Sequence, residues 1–106
     1  MAVFFFRLTP PRPTFPGDMT DAEAAAMQAH FGYWADLCAR GSAVAYGPVP
    51  EGAGAWGPAV IEATDQAEAA AIVAGDPAVR SGLGFTTDLV AMPDALIRPR
   101  AAAKAA

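Results

Sequence analysis

A chain of 106 residues, 54% of them hydrophobic and with a formal net charge of −4, has the length of one domain and enough apolar mass to bury its own core. The negative balance excludes the basic stripe that grips nucleic acid or an anionic membrane surface. A single cysteine excludes an internal disulfide and points to a reducing cytoplasm, while frequent alanine and arginine suit a GC-rich bacterial genome.

Ala2–Leu8 is apolar on both faces, with Val3 and Phe5 pointing one way and Phe4 and Phe6 the other. This predicts a central strand covered from both sides. The apolar run is too short for a membrane span and lacks the basic segment of a signal peptide. Thr9–Asp18 carries four prolines and a glycine, which permit neither helix nor ladder and predict an extended loop.

Thr20 and Glu23 have capping-box spacing and open the longest helical pattern, which Gly41 closes. At 100° per residue, Ala24, Met27, Phe31, Trp34 and Cys38 fall within about 120° of one another and predict the buried stripe. Asp36 and Arg40 are spaced to pair on the far side. His30, the only histidine, lies about 60° from Met27 on the flank of that stripe. Its imidazole is therefore expected at the edge of the core, half dry, and Cys38 is expected inside as a small core residue.

Ala43–Gly47 reads as a short strand, Val49–Trp56 as a Gly/Pro-rich turn, and Pro58–Ala63 as the next strand. Thr64 or Asp65 caps a second helix, with Asp65 and Glu68 again at capping-box spacing and Ala69, Ile72 and Val73 as its apolar stripe. Gly75 stops that helix, Asp76-Pro77 starts a short turn, and Phe85–Met92 is a last strand. We expect a single domain over residues 1–99 and a flexible tail over 100–106. The order β-α-β-β-α-β predicts an α+β, ferredoxin-like fold. Two helices cover one face of such a sheet, so the other face should be apolar and close on a second copy as a homodimer.

Gly52-Ala53-Gly54-Ala55-Trp56-Gly57 matches the dinucleotide pattern letter by letter. That pattern works only with a strand before it and a helix after it; here a strand follows, so the segment reads as a hairpin loop. His30 and Cys38 stand about 12 Å apart along one helix and cannot share a proton within a subunit. One histidine, one cysteine and no acidic cluster leave no metal site, and nothing implies a cofactor.

The remaining pair is His30 with Asp76. Alone, the histidine reads as structural and the aspartate as an N-cap. In the predicted topology, however, the first helix and the turn after the second lie on one side of the sheet. The carboxylate would then fix the imidazole tautomer and favour its protonated form. Phe31, Trp34, Tyr46 and Phe85 would supply a dry wall suited to acid–base work, with Gly47 and Pro48 beside it. Arg12, in the Pro-rich loop, would attract an anionic substrate group.

Taken in order, Pro11-Arg12-Pro13-Thr14-Phe15-Pro16, His30-Phe31-Gly32-Tyr33-Trp34, Ala45-Tyr46-Gly47-Pro48, Gly75-Asp76-Pro77-Ala78-Val79 and Ser81-Gly82-Leu83 resemble the YCII-related (YciI-like) family of small bacterial proteins. The resemblance runs from about Val3 to Pro99. It implies a dimeric α/β barrel of ferredoxin-like subunits with a His–Asp pair, here His30 and Asp76, in a pocket. One relative is similar to a dehydrochlorinase of a chlorinated, hydroxylated aromatic, a reaction that needs an acid and a base but no cofactor.

The expectation is thus a cofactor-independent lyase or isomerase acting on a small aromatic or anionic molecule. A non-catalytic ligand-binding or regulatory dimer and a cofactor-free monooxygenase are the alternatives, since function belongs to the site and not to the scaffold.

Overall fold

The computed structural model describes residues 1–99; the expected tail, residues 100–106, lies outside the described residues. The elements are β1 (Ala2–Thr9), α1 (Asp21–Arg40), β2 (Ala43–Tyr46), β3 (Val49–Glu51), β4 (Gly54–Ala63), α2 (Gln66–Ala74), α3 (Pro77–Arg80) and β5 (Thr86–Ala91). The sheet order is β2-β4-β1-β5, every pair antiparallel, with β3 hydrogen-bonded to the start of β4. This open five-stranded α+β architecture is compatible with a ferredoxin-like fold. No helix among the described residues is long and apolar enough to cross a membrane.

β1 is central, as its phenylalanines predict. Phe4, Phe6 and Leu8 are buried on the helix-covered face against Ala59, Ile61 and Ala63 of β4. Val3 and Phe5 point to the other face, where Phe5 lies between Val60 and Val90 in register, and Val90 is 57% exposed. Alternation along each strand thus leaves a partly bare apolar row across three strands.

Three local readings need correction. First, β4 begins at Gly54, not Pro58, and Val49–Glu51 pairs with it as a hairpin (Val49 opposite Trp56, Glu51 opposite Gly54). Glycine and proline hide this hairpin from a propensity reading. Second, the buried stripe of α1 is Glu23, Met27, His30, Trp34 and Leu37. Ala24, Phe31 and Cys38, placed in the stripe from hydrophobicity alone, are exposed. Third, His30 is fully buried and not half dry. The helix has rolled toward its two charged partners, Arg12 for Glu23 and Asp76 for His30, because a paired charge tolerates burial and an unpaired one does not.

The caps agree with the sequence. Thr20 and Glu23 form the reciprocal capping box of α1, and Gly41 closes it in the left-handed region with φ 83°. Asp65 caps α2. Asp76 caps the short α3, with Pro77 at its first position.

Candidate active site

The site begins with Asp76, 46 residues from His30 in the chain and fully buried beside it. As the N-cap of α3, Asp76 accepts from the Ala78 amide through Oδ1 at 2.8 Å. It also accepts from the indole Nε1 of Trp34 through Oδ2 at 2.8 Å. Both carboxylate oxygens lie 2.8 Å from His30 Nδ1. Cap and imidazole partner, which the sequence offers as alternatives, are one carboxylate doing both. His30 and Trp34 reach it together because they lie four residues apart on α1.

With its proton on Nδ1, donated to the Asp76 carboxylate, a neutral ring presents Nε2 as an acceptor. Nε2 meets the hydroxyl of Tyr46, which is the donor when the ring is neutral. The line Asp76–His30–Tyr46 is therefore continuous. Its rings are held by stacking: Phe6 on Trp34 at 5.0 Å and Trp34 on Tyr46 at 5.4 Å between centroids. Burial, and then the charge of Asp76, push the Tyr46 hydroxyl well above its ordinary pKa, so it stays protonated. Among the described residues, no buried side-chain nitrogen or oxygen lacks a partner.

Tyr46 points inward because of a bulge. From Ala43 opposite Ile61 to Tyr46 opposite Ala59, β2 advances three residues while β4 advances two. Strict alternation from buried Ala43 would turn Tyr46 outward; the extra residue turns it toward α1. Gly57 leaves room for it, since a Cβ there would stand 2.6 Å from the Tyr46 hydroxyl oxygen. Gly54 likewise admits the backbone of Pro13 and Phe15. The glycines of the apparent dinucleotide pattern thus serve a hairpin and its neighbours.

Tyr46 also lines a cavity of about 240 Å³ whose other walls include Phe15, Met27, Phe31, Trp56 and Phe85. Pro48 and Gly57 line it too. His30, Trp34 and Asp76 do not line it. Of the residues expected to contact substrate, Phe31, Tyr46, Pro48 and Phe85 come together here, whereas Trp34 is buried behind Tyr46 and Gly47 is off the cavity. The sequence places Tyr46 as a wall; its hydrogen bond to His30 escapes the alternation rule because of the bulge.

Arg12 stands apart. It borders a second cavity, of about 430 Å³, with Arg7, Glu51 and Trp56. Its guanidinium is committed to Glu23 at 2.7 and 2.8 Å, to the Asp18 carboxylate at 3.0 Å and to the Asp18 carbonyl at 2.7 Å. Thr14 donates to Asp18 at 2.6 Å, so the Pro-rich loop is tied to the start of α1. The Arg12 hydrogen bonds, with help from the Thr20 amide, hold Glu23 down to about 2. Among the described residues, no group of three or more His, Cys, Asp or Glu side chains is placed to hold a metal ion.

The sequence model of the YCII-related domain matches residues 3–93, and the chain belongs to that family. No match was found among curated proteins.

Proposed function

We propose that this YCII-related chain is a cofactor-independent acid–base enzyme, of lyase, dehydrochlorinase-like or isomerase type, in which the His30–Asp76 pair holds and returns a proton for a small aromatic substrate. The observation that carries the reading is the buried, fully partnered Asp76–His30 pair ending at the wall of an apolar cavity. A cavity of about 150 Å³ takes up benzene, so about 240 Å³ suits one substituted ring. The lining favours an aromatic molecule over an anion, because the Arg12 guanidinium is already shared between Asp18 and Glu23.

The apolar row of Val3, Phe5, Val60 and Val90 supports assembly as a homodimer through the open sheet face, within a dimeric α/β barrel. The net charge of −4 and the exposed thiol of Cys38 suit a reducing cytoplasm without nucleic acid or membrane as partner.

The test is halide release and solvent-deuterium uptake across a panel of hydroxylated, halogenated single-ring aromatics under nitrogen. We expect turnover in the wild type and a loss of about 10²- to 10⁴-fold in His30→Gln. Saturable binding with neither readout across the panel returns the site to a sensing role. Turnover that requires oxygen returns it to monooxygenase chemistry. Sedimentation as a monomer at micromolar concentration would remove the dimer.

A further inference from the structure

We infer that Tyr46 is the catalytic group of this site: its hydroxyl, and not the imidazole, meets the ligand, and it relays a proton from a phenol- or enol-type hydroxyl in the apolar cavity to His30 Nε2. The inference rests on the acid–base reading above and specifies its substrate class as neutral on entry, with one acidic hydroxyl on a ring-sized apolar body.

Three observations carry it. His30 has no exposed surface and does not line the cavity, whereas Tyr46 does. Gly57, which also lines the cavity, is where a single added carbon would touch the Tyr46 hydroxyl oxygen. The hydroxyl end of the ring therefore abuts a residue of the cavity wall, and it is the polar group that this otherwise almost wholly apolar wall has closest to Gly57. Finally, the Tyr46 hydroxyl is hydrogen-bonded to Nε2; donating to the neutral ring, its oxygen keeps a lone pair for a second donor.

The step balances as two coupled proton transfers. The Tyr46 O–H bond breaks as an N–H bond forms at Nε2 of His30. The ligand O–H bond breaks as a new O–H bond forms on Tyr46. The products are an imidazolium held by the Asp76 carboxylate and a ligand oxyanion accepting from the neutral Tyr46 hydroxyl. Tyrosine returns unchanged, and reversal of both transfers returns the proton. No oxidant, reductant or metal enters. Asp76 and the Trp34 indole fix the imidazole from behind, so the geometry is set before a ligand arrives.

4-Nitrophenol is the probe, because its phenolate absorbs in the visible and its phenol does not. At a pH well below its own pKa, the wild-type protein should bind it as phenolate, with a saturable visible band. The His30 ¹⁵N resonances should move together from the neutral to the imidazolium pattern. Tyr46→Phe keeps the ring stacked on Trp34, and its fold is checked by thermal melting. It should lose both signals, and Asp76→Asn should lose the visible band.

A band of wild-type strength in Tyr46→Phe, or no saturable band in the wild type, overturns the relay. Halogenated-aromatic turnover that survives at the wild-type rate in Tyr46→Phe also overturns it while leaving the acid–base function standing. Loss of the probe's band in Tyr46→Phe, with no turnover by the wild type on any panel compound, does the reverse.

Discussion

Helix α1 buries two ionisable side chains, and each is answered from a distant part of the chain, yet the two networks are built to opposite ends. At its N-terminus, Glu23 takes the forked guanidinium of Arg12 and the amide of Thr20, while Asp18 and Thr14 use what remains. All these groups are spent on one another, and the result is a clasp that holds the Pro-rich loop against the helix. At its middle, Asp76, Trp34 and His30 are equally saturated, but the line continues to Tyr46 and stops at a cavity wall. A closed network gives rigidity. An open-ended one gives rigidity and a reactive terminus.

The largest expected effect tests whether the inner network is also the structural keystone. Asp76→Ala strips the acceptor from the Trp34 indole, the Ala78 amide and the His30 ring in one step. It should lower stability by about 3–5 kcal/mol in urea unfolding, the usual result of breaking a buried pair. Arg12→Ala, in the half-exposed clasp, should cost visibly less and leave turnover near wild type. Equal losses in the two variants would erase the distinction drawn between them.

Gly57→Ala sharpens the comparison from the cavity side. It alters no ionisable group, but its methyl displaces the Tyr46 hydroxyl from Nε2. Misplacement on that scale should reduce turnover by about ten- to a hundredfold, with a melting temperature close to wild type. An unchanged rate would show that the Tyr46–His30 contact is dispensable.

The clasp has its own signature in acid. Glu23 is held below its ordinary value of 4.5, at about 2, first by the Arg12 hydrogen bonds. A depressed carboxylate adds stability that is fully present above 4.5 and is lost as pH falls toward 2. Thermal melts between pH 5 and 2 should therefore fall less steeply in Glu23→Gln than in wild type. Parallel slopes would mean that the pair contributes nothing.

The smallest effect is Thr20→Ala, which removes one cap acceptor. It should cost about 1 kcal/mol without loosening Glu23 from Arg12, as read by the same melts.

These contrasts also explain what was legible in the sequence. Apart from the β3–β4 hairpin, the element types and caps follow from local rules, and Thr20, Gly41, Asp65 and Asp76 each do what their spacing predicts. The phase of α1 is different, because hydrophobicity votes for Phe31 and Cys38 while the burial of Glu23 and His30 depends on partners outside the helix. A one-dimensional pattern contains no term for Arg12 or Asp76. The hairpin of β3 with β4 was hidden for a related reason: its glycines and prolines answer to neighbouring backbone and to Tyr46, and not to strand propensity. The pairing of His30 with Asp76 was accessible through topology and the family resemblance and not through local pattern, and the aim of Tyr46 was inaccessible because a register irregularity sets it.

That irregularity has an evolutionary reading. Whether the tyrosine of β2 joins the proton path or faces the bare side of the sheet is decided by how the ladder absorbs one surplus position between Ala43 and Tyr46. Removing a single codon there would place the tyrosine two residues after Ala43, so that plain alternation keeps it opposite Ala59 and on the inward face. The hydroxyl is turned outward only where the surplus residue is kept and paired without a bulge, so the register of an edge strand, and not its length alone, sets the aim of the reactive side chain.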